Sequence, residues 1–202
     1  MTTVAAPRPA PDAARPVSRE PGWWGMLFFI ATEVALFLAL FAAYFYVRVR
    51  SGGHWPQGGA EEPKLVRPAI MTGLLMTSSV PAYLAERSAK EGRQGRLLLS
   101  LAATLLLGAA FLGLQAWEYA DSLQRLSPHD SAYASLFYTI TSVHGAHVAL
   151  GLVLLLWTLG MALAGMFTPE RNLAVQNVSL YRHFVHGVWL AVFGSLYLSV
   201  SL

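Results

Sequence analysis

Residues 23–47 read WWGMLFFIATEVALFLALFAAYFYV, and this stretch decides the fold class. Its 25 residues include one charged side chain, Glu33. A helix that crosses a bilayer needs about 20 predominantly apolar residues, and Trp and Tyr are enriched where such a helix meets the headgroups. The stretch begins with two Trp and has Tyr44 and Tyr46 near its end. The sequence therefore predicts a membrane-spanning helix here.

The same composition continues along the chain. Of the 202 residues, 55% are hydrophobic and 12% are charged, whereas a typical soluble domain has about 25% charged residues. This composition excludes a water-soluble or disordered chain and predicts an all-α integral membrane bundle of five transmembrane helices. The predicted spans, bounded by charged residues or loops, are about 23–47, 69–85, 97–118, 134–166 and 180–202. The second span is the weakest, because it is short and rich in hydroxyl side chains.

The ends of the chain can be assigned to opposite sides of the membrane. Residues 1–22 contain five of the eleven prolines and are predicted to form a flexible tail, which leaves 23–202 as the membrane domain. The segments on the side of the N-terminus contain nine Lys and Arg, and those on the opposite side contain five. Positive residues favour the cytoplasmic face. We therefore predict a cytoplasmic N-terminus and an external C-terminus.

The absence of cysteine and the placement of the basic residues exclude several functions. With no cysteine in the chain, disulfides, thiolate nucleophiles, iron–sulfur clusters and thiolate metal sites are ruled out. The net charge is +3, and its basic residues lie mainly in short loops, where membrane topology explains them. No nucleic-acid partner is expected.

Two acidic residues within the spans are candidate functional groups, because burying a charge in lipid costs about 2.5–3.5 kcal/mol on insertion scales. Glu33 lies about ten residues into its span, where burial favours the neutral form of its carboxyl group unless a histidine or another subunit pairs with it. It would contact a proton route, a lipid headgroup or a neighbouring subunit, or else be hydrogen-bonded within the bundle. Glu118, between Trp117 and Tyr119, is near the end of its span and could reach the interface.

Four histidines form two pairs with the same spacing. His144 and His147 are three residues apart on one predicted helix, and His183 and His186 on the next, so each pair shares a helix face. Four imidazoles could ligate haem or a metal. However, the two pairs are expected at different depths, and no carboxylate lies between paired histidines. We therefore expect structural or lipid-contacting histidines and no metal site.

Five motifs together resemble subunit III of the haem–copper respiratory oxidases. They occur in the order of that family and cover nearly everything after residue 22. The motifs are ATEVALF (31–37), GGHWP (52–56), QAWEY (115–119), FYTITSVHGAHVALG (137–151) and YRHFVHGVWLAVFGSLYL (181–198). Members of this family have seven helices or a five-helix short form, and the chain is similar to the short form.

The resemblance implies an accessory subunit without a redox centre or catalytic residues, docked on oxidase subunit I alongside subunit II and further subunits. Haems and copper would belong to those partners, and this chain would hold only phospholipids. In the family, helices form a V-shaped cleft filled with lipids that is thought to help oxygen reach the catalytic subunit. The subunit also sustains proton uptake and protects the catalytic centre during turnover. The expected location is the inner or plasma membrane of a bacterial cell.

The resemblance also assigns residues. Glu33 matches the buried membrane acid of the family, and His183 matches the histidine of its YWHFVD stretch. A polar membrane cluster matches the Q-x-x-EY and HG-x-HV motifs and comprises Gln115, Glu118, Tyr119, His144 and His147.

The chain departs from the family pattern at several positions. Arg182 and His186 replace Trp and Asp, and Ser142-Val143 replaces Gly-Phe. Arg182 near the inner face could bind a lipid phosphate. We expect Arg182, His183 and His186 to contact lipid or another subunit.

Other functions remain open at this point. Within the same fold, the chain could serve a quinol oxidase or accompany a nitric oxide reductase, because the electron donor binds other subunits. A stand-alone haem protein that uses the four histidines, or a small carrier with Glu33 as its proton site, would be a different class.

Overall fold

A computed structural model describes residues 21–52, 55–56 and 65–201. Most of the predicted N-terminal tail (1–20), residues 53 and 54 of the GGHWP motif and the final residue lie outside the described residues. Residues 21 and 22, which we assigned to the tail, are the first residues of a helix.

The regular structure of the described residues is entirely helical, which confirms the all-α prediction. Five long helices occur in the predicted order. They are α1 (Pro21–Arg50), α2 (Val66–Lys90), α3 (Gln94–Leu123), α4 (Ala132–Leu163) and α5 (Leu173–Val192). A π-helical segment, Phe193–Leu198, continues α5, and a short helix α6 (Ser199–Ser201) follows it.

Most helices extend beyond the apolar spans predicted from the sequence. The second is the clearest case, because charged residues that bound the span continue the helix. Lys90 donates to Glu86 at 2.6 Å, one turn earlier, and such pairs support a helix end. Likewise α5 begins at Leu173, seven residues before the predicted span. The apolar pattern marks the part of a helix suited to lipid, whereas backbone hydrogen bonding continues past it.

Within the described residues, three helices are long and apolar enough to cross a membrane: α1, α3 and α4. The other two long helices have more polar residues. Hydroxyl side chains interrupt α2, and amide, imidazole and guanidinium groups interrupt α5. Several of these polar groups face the protein interior, so the low hydropathy of α2 and α5 reflects internal contacts.

The helices α2, α3, α4 and α5 form a ring in which each contacts its neighbours, and α2 closes onto α5. Helix α1 lies outside this ring and packs against α4 and α5. The Tyr44 hydroxyl of α1 donates to the Ser195 carbonyl in the π-helical segment at 3.0 Å. The core inside the ring contains fully buried aromatic side chains, including Phe111, Tyr181 and Trp189.

Turn chemistry fixes the ends of several helices. Gly92, between α2 and α3, has φ +67°, and Gly165, just after α4, has φ +68°. Glycine adopts this left-handed conformation without the steric cost of a Cβ. The Ser131 hydroxyl caps α4 by accepting from the Ala134 amide at 3.1 Å.

Candidate functional site: the polar interior of the bundle

Glu33 and His147 meet where α1 packs against α4. Oε2 of Glu33 lies 2.7 Å from Nε2 of His147, and 18% of the Glu33 side chain is exposed. On the other side of the imidazole, Nδ1 of His147 lies 2.7 Å from the Val143 carbonyl oxygen. The edge of the Phe37 ring packs on the imidazole, with centroids 5.1 Å apart. Both nitrogens of His147 are therefore occupied within this chain.

The geometry of His147 determines how many protons the pair holds. A carbonyl oxygen only accepts hydrogen bonds, so Nδ1 has a proton. Nε2 then either accepts from protonated Glu33 or, in an imidazolium, donates to the Glu33 carboxylate. In both cases one proton lies in the 2.7 Å contact and the pair has no net charge. This arrangement meets the requirement for a partner that the depth of Glu33 imposes.

Glu118 lies near the C-terminal end of α3 and is 9% exposed. Instead of reaching outward, its carboxylate accepts from Nη1 of Arg67 at 3.1 Å. The same Arg67 nitrogen donates to Asp121 at 2.7 Å, and Arg125 donates to Asp121 at 2.6 Å. The Arg67 guanidinium also lies over the Trp117 ring, 4.8 Å from its centroid. This ion-pair cluster ties α2 to α3.

Gln115, one turn before Glu118, connects α3 to α4. Its Nε2 donates to the Thr141 carbonyl at 2.9 Å. A Cβ on Gly145 would lie 3.1 Å from this nitrogen, so the glycine between the two histidines provides the space that Gln115 occupies. Gln115, Glu118 and Tyr119 line one cavity of about 10 Å³. The structure thus brings together these three members of the predicted polar cluster.

His144 and His147 have different surroundings although they are three residues apart. His144 is completely buried, and neither of its ring nitrogens has a hydrogen-bond partner. Its ring lies 5.3 Å from the Trp189 ring and 6.1 Å from the Phe111 ring, measured between centroids. His144 therefore packs as an aromatic side chain, and His147 belongs with Glu33.

The basic group on α5 is divided between the interior and the surface. Arg182 and His186 lie inside the bundle, where Arg182 contacts His186 and the Ser78 carbonyl. Contrary to our expectation of a contact with lipid or another subunit, Arg182 turns inward, because the His186 ring and the Ser78 carbonyl accept its hydrogen bonds there. His183 is exposed, and it lines an open pocket together with Trp23 and Lys90.

The sequence analysis missed several members of these interior contacts. Arg67 was treated only as a flank of the second span, although a cation beside a span is a plausible partner for Glu118. The Tyr181 hydroxyl donates to the His147 carbonyl at 3.1 Å. No signal in the sequence identified that contact. Within the part of the chain that the structure describes, no three His, Asp or Glu side chains are placed to hold a metal ion.

Comparisons with known proteins identify the family of the chain. A family model described as cytochrome c oxidase subunit III matches residues 17–201. The chain belongs to the cytochrome c oxidase subunit III family. The recognition based on the five sequence motifs is therefore confirmed.

Individual relatives of the subunit III family show the extent of the similarity. The cytochrome c oxidase subunit 3 of Branchiostoma lanceolatum is 35% identical over 178 residues, which cover 86% of this chain and 67% of that protein. The protein of the same name from Gallus gallus is 34% identical over 179 residues, covering 86% and 68%. That of Pisaster ochraceus is 36% identical over 180 residues, with the same coverage.

Family membership together with three helices suited to lipid identifies a multi-pass membrane protein. In this subunit III chain, the buried acid, the two histidines of α4 and the Gln115–Glu118 segment all lie at contacts between helices.

Proposed function

We propose that this chain is an accessory, non-redox subunit of a proton-pumping cytochrome c oxidase. The observation that carries the proposal is the match of the family model to residues 17–201. Two of the paired histidines fit a role without redox chemistry, because the ring nitrogens of His147 and His186 contact other groups of this chain. Such a subunit would assemble with oxidase subunits I and II, which would hold the haems and copper.

The proposed role is to support the catalytic subunit through bound lipid, oxygen access and sustained proton uptake. Large apolar side chains on the outside of α4 fit a lipid or subunit surface, since contiguous exposed apolar patches mark such contacts. Val153 is 62% exposed and Trp157 is 73% exposed. The partly exposed Glu33 and the exposed His183 are the groups of this chain best placed to contact phospholipid or a neighbouring subunit.

Co-purification tests the assembly. A tag on this chain should recover a haem-containing complex in stoichiometric amount from the native membrane. Oxidation of reduced cytochrome c by that complex would support the proposal, whereas a complex active only with quinol or nitric oxide would assign the chain to one of those enzymes. Recovery of the chain alone would contradict it.

A spectrum of the isolated chain tests the non-redox role separately. We expect no Soret band. A stoichiometric haem lost on replacement of His144 and His147 would instead identify a histidine-ligated haem protein.

The proposed orientation is five spans with the N-terminus in the cytoplasm and the C-terminus outside, in the plasma membrane of a bacterial cell. It rests on the nine Lys and Arg on one side against five on the other. Compartment-sensitive reporters fused to each end provide the test. A reporter at residue 1 that is active outside the cell membrane would contradict the orientation.

A further inference from the structure

Arg182 is a buried cation with one unoccupied nitrogen. The residue is 9% exposed. Its Nε lies 3.3 Å from Nε2 of His186, and its Nη2 donates to the Ser78 carbonyl at 3.2 Å. Nη1 is buried and has no hydrogen-bond partner. Because a guanidinium does not lose its proton in proteins, the positive charge remains in this interior position.

His186 does not neutralise that charge. Its Nε2 accepts from Arg182, so its proton is on Nδ1, which lies 3.4 Å from the Ser79 hydroxyl. The ring is therefore neutral and supplies dipoles only. A neutral histidine orients the guanidinium without balancing it.

No carboxylate balances Arg182 either, within the residues that the structure describes. The acidic residues of the helices have other partners: Glu33 pairs with His147, Glu118 and Asp121 with Arg67, and Glu86 with Lys90. A buried charge without a counter-charge is strongly destabilising. An occupant of opposite charge would remove this cost.

A cavity lies beside Arg182 among α2, α3, α4 and α5. Its volume is about 40 Å³, and Thr104 lines it together with Arg182 and His186. Thr104 is 2% exposed, and its hydroxyl is buried without a hydrogen-bond partner. A smaller cavity of about 20 Å³ shares both Arg182 and Thr104. Since a water molecule needs roughly 10–15 Å³ measured in this way, the larger cavity has room for a small ion.

We propose that this cavity binds a small monovalent anion, chloride under cellular conditions, on the Arg182 guanidinium and the Thr104 hydroxyl. Of the two unpartnered groups, Nη1 of Arg182 can only donate hydrogen bonds, and the Thr104 hydroxyl can also donate one. Water would fill the space and accept these hydrogen bonds, but it would leave the charge unbalanced. A halide both accepts the two hydrogen bonds and balances the positive charge. The site goes beyond the proposed support of a terminal oxidase and does not depend on it.

Bromide substitution tests the proposal directly. Bromide replaces chloride with little change in size, and its anomalous scattering distinguishes it from water. We expect crystals of the complete complex, grown from chloride-free bromide buffer, to show one anomalous peak in the cavity, in contact with Arg182 and Thr104. The peak should be absent in Arg182→Met and present in Arg171→Met, a matched change at an exposed loop position.

Thermal unfolding of the complex provides a second readout. At constant ionic strength, with gluconate as the replacing anion, the melting temperature of this subunit should rise with the logarithm of the chloride concentration. Arg182→Met should abolish the dependence. Thr104→Val should raise the half-saturating chloride concentration by about 10- to 100-fold, since one hydrogen bond to a charged group contributes roughly 1.5–3 kcal/mol.

Three outcomes would overturn the proposal. The first is electron density in the cavity without anomalous signal at high bromide, which identifies water only. The second is a melting temperature of the unmodified complex that does not respond to halide. The third is a bromide peak that persists in Arg182→Met. The first two measurements use the unmodified protein, so they hold even if a variant fails to fold.

Discussion

The Glu33 carboxyl on α1 and the His147 imidazole on α4 share one proton across a 2.7 Å contact. The Val143 carbonyl holds the opposite ring nitrogen at 2.7 Å and thereby fixes the tautomer. Because α1 lies outside the ring of the other four long helices, this contact is also one of the polar attachments of α1. The contact between Glu33 and His147 therefore has two roles: it holds a proton, and it attaches α1 to α4.

Replacement of Glu33 by Gln and by Ala separates these two roles. The amide of Glu33→Gln can donate to Nε2 of His147, so we expect an assembled complex with near-normal initial oxygen consumption. Glu33→Ala leaves Nε2 unpartnered, at a cost of about 1–3 kcal/mol, and should shorten the active lifetime over many turnovers. The measurement is oxygen consumption with haem content determined at the end. Complete loss of initial activity in Glu33→Gln with intact haems would instead make Glu33 a proton-relay group.

The ion-pair cluster predicts unequal effects for its two arginines. Arg67 contacts both Glu118 and Asp121, whereas Arg125 contacts Asp121. Arg67→Ala deprives the buried Glu118 of its cation, so it should lower the melting temperature of the subunit clearly more than Arg125→Ala does. The additional replacement Glu118→Gln should recover part of the loss. Equal effects of the two arginine variants would show that Glu118 does not depend on Arg67.

A side chain at Gly145, the glycine between the histidines of α4, should displace the Gln115 amide. In Gly145→Ala the new Cβ would lie 3.1 Å from Nε2 of Gln115, and its displacement would weaken the 2.9 Å bond to Thr141. We expect a net loss of about 1 kcal/mol. Gly160→Ala is the matched control on the same helix, since no atom lies within 4 Å of its Cβ. That variant should be neutral or stabilise by up to about 1 kcal/mol through helix propensity.

A double variant makes the Gly145 experiment specific. In a Gln115→Ala background, the amide that meets the new methyl group is absent. Gly145→Ala should then behave as Gly160→Ala does. If the loss persists without the amide, the crowding arises elsewhere in the α3–α4 contact and the assigned role of Gly145 is wrong. Thermal unfolding of the purified complex measures each of these differences.

The fold class could be predicted from the sequence because a chain in lipid must satisfy its backbone hydrogen bonds internally. Long, predominantly apolar stretches favour helices, which satisfy their own backbone hydrogen bonds in lipid, and each of the five predicted stretches overlaps one of the five long helices. Their ends were not predicted well. Helix α5 begins seven residues early because amides and hydroxyls that end an apolar pattern do not end backbone hydrogen bonding.

The sequence singled out individual candidate residues, but it did not predict their contacts. A carboxyl group inside a span is either neutral or paired, and that rule left open whether Glu33 has a partner. Which histidine it contacts depends on how α1 packs on α4, which no spacing encodes. Arg182 shows the same limit, because helical position alone does not distinguish a lipid-facing guanidinium from one that turns inward to Ser78.

The ring nitrogens of His144 have no hydrogen-bond partner although the residue is completely buried. One nitrogen of a neutral imidazole is an unpaired donor, and replacing such a group by an apolar one of similar shape is close to neutral or stabilising. His144→Phe should therefore preserve the contacts with Phe111 and Trp189 and leave the melting temperature of the subunit unchanged or higher. His144→Ala removes the ring and leaves a void, which should cost about 2–4 kcal/mol. His147→Phe is the matched control, because it breaks the bond to Glu33 and should destabilise the subunit. If His144→Phe were as harmful as His144→Ala while the subunit remained assembled, His144 would have a polar partner beyond its packing role.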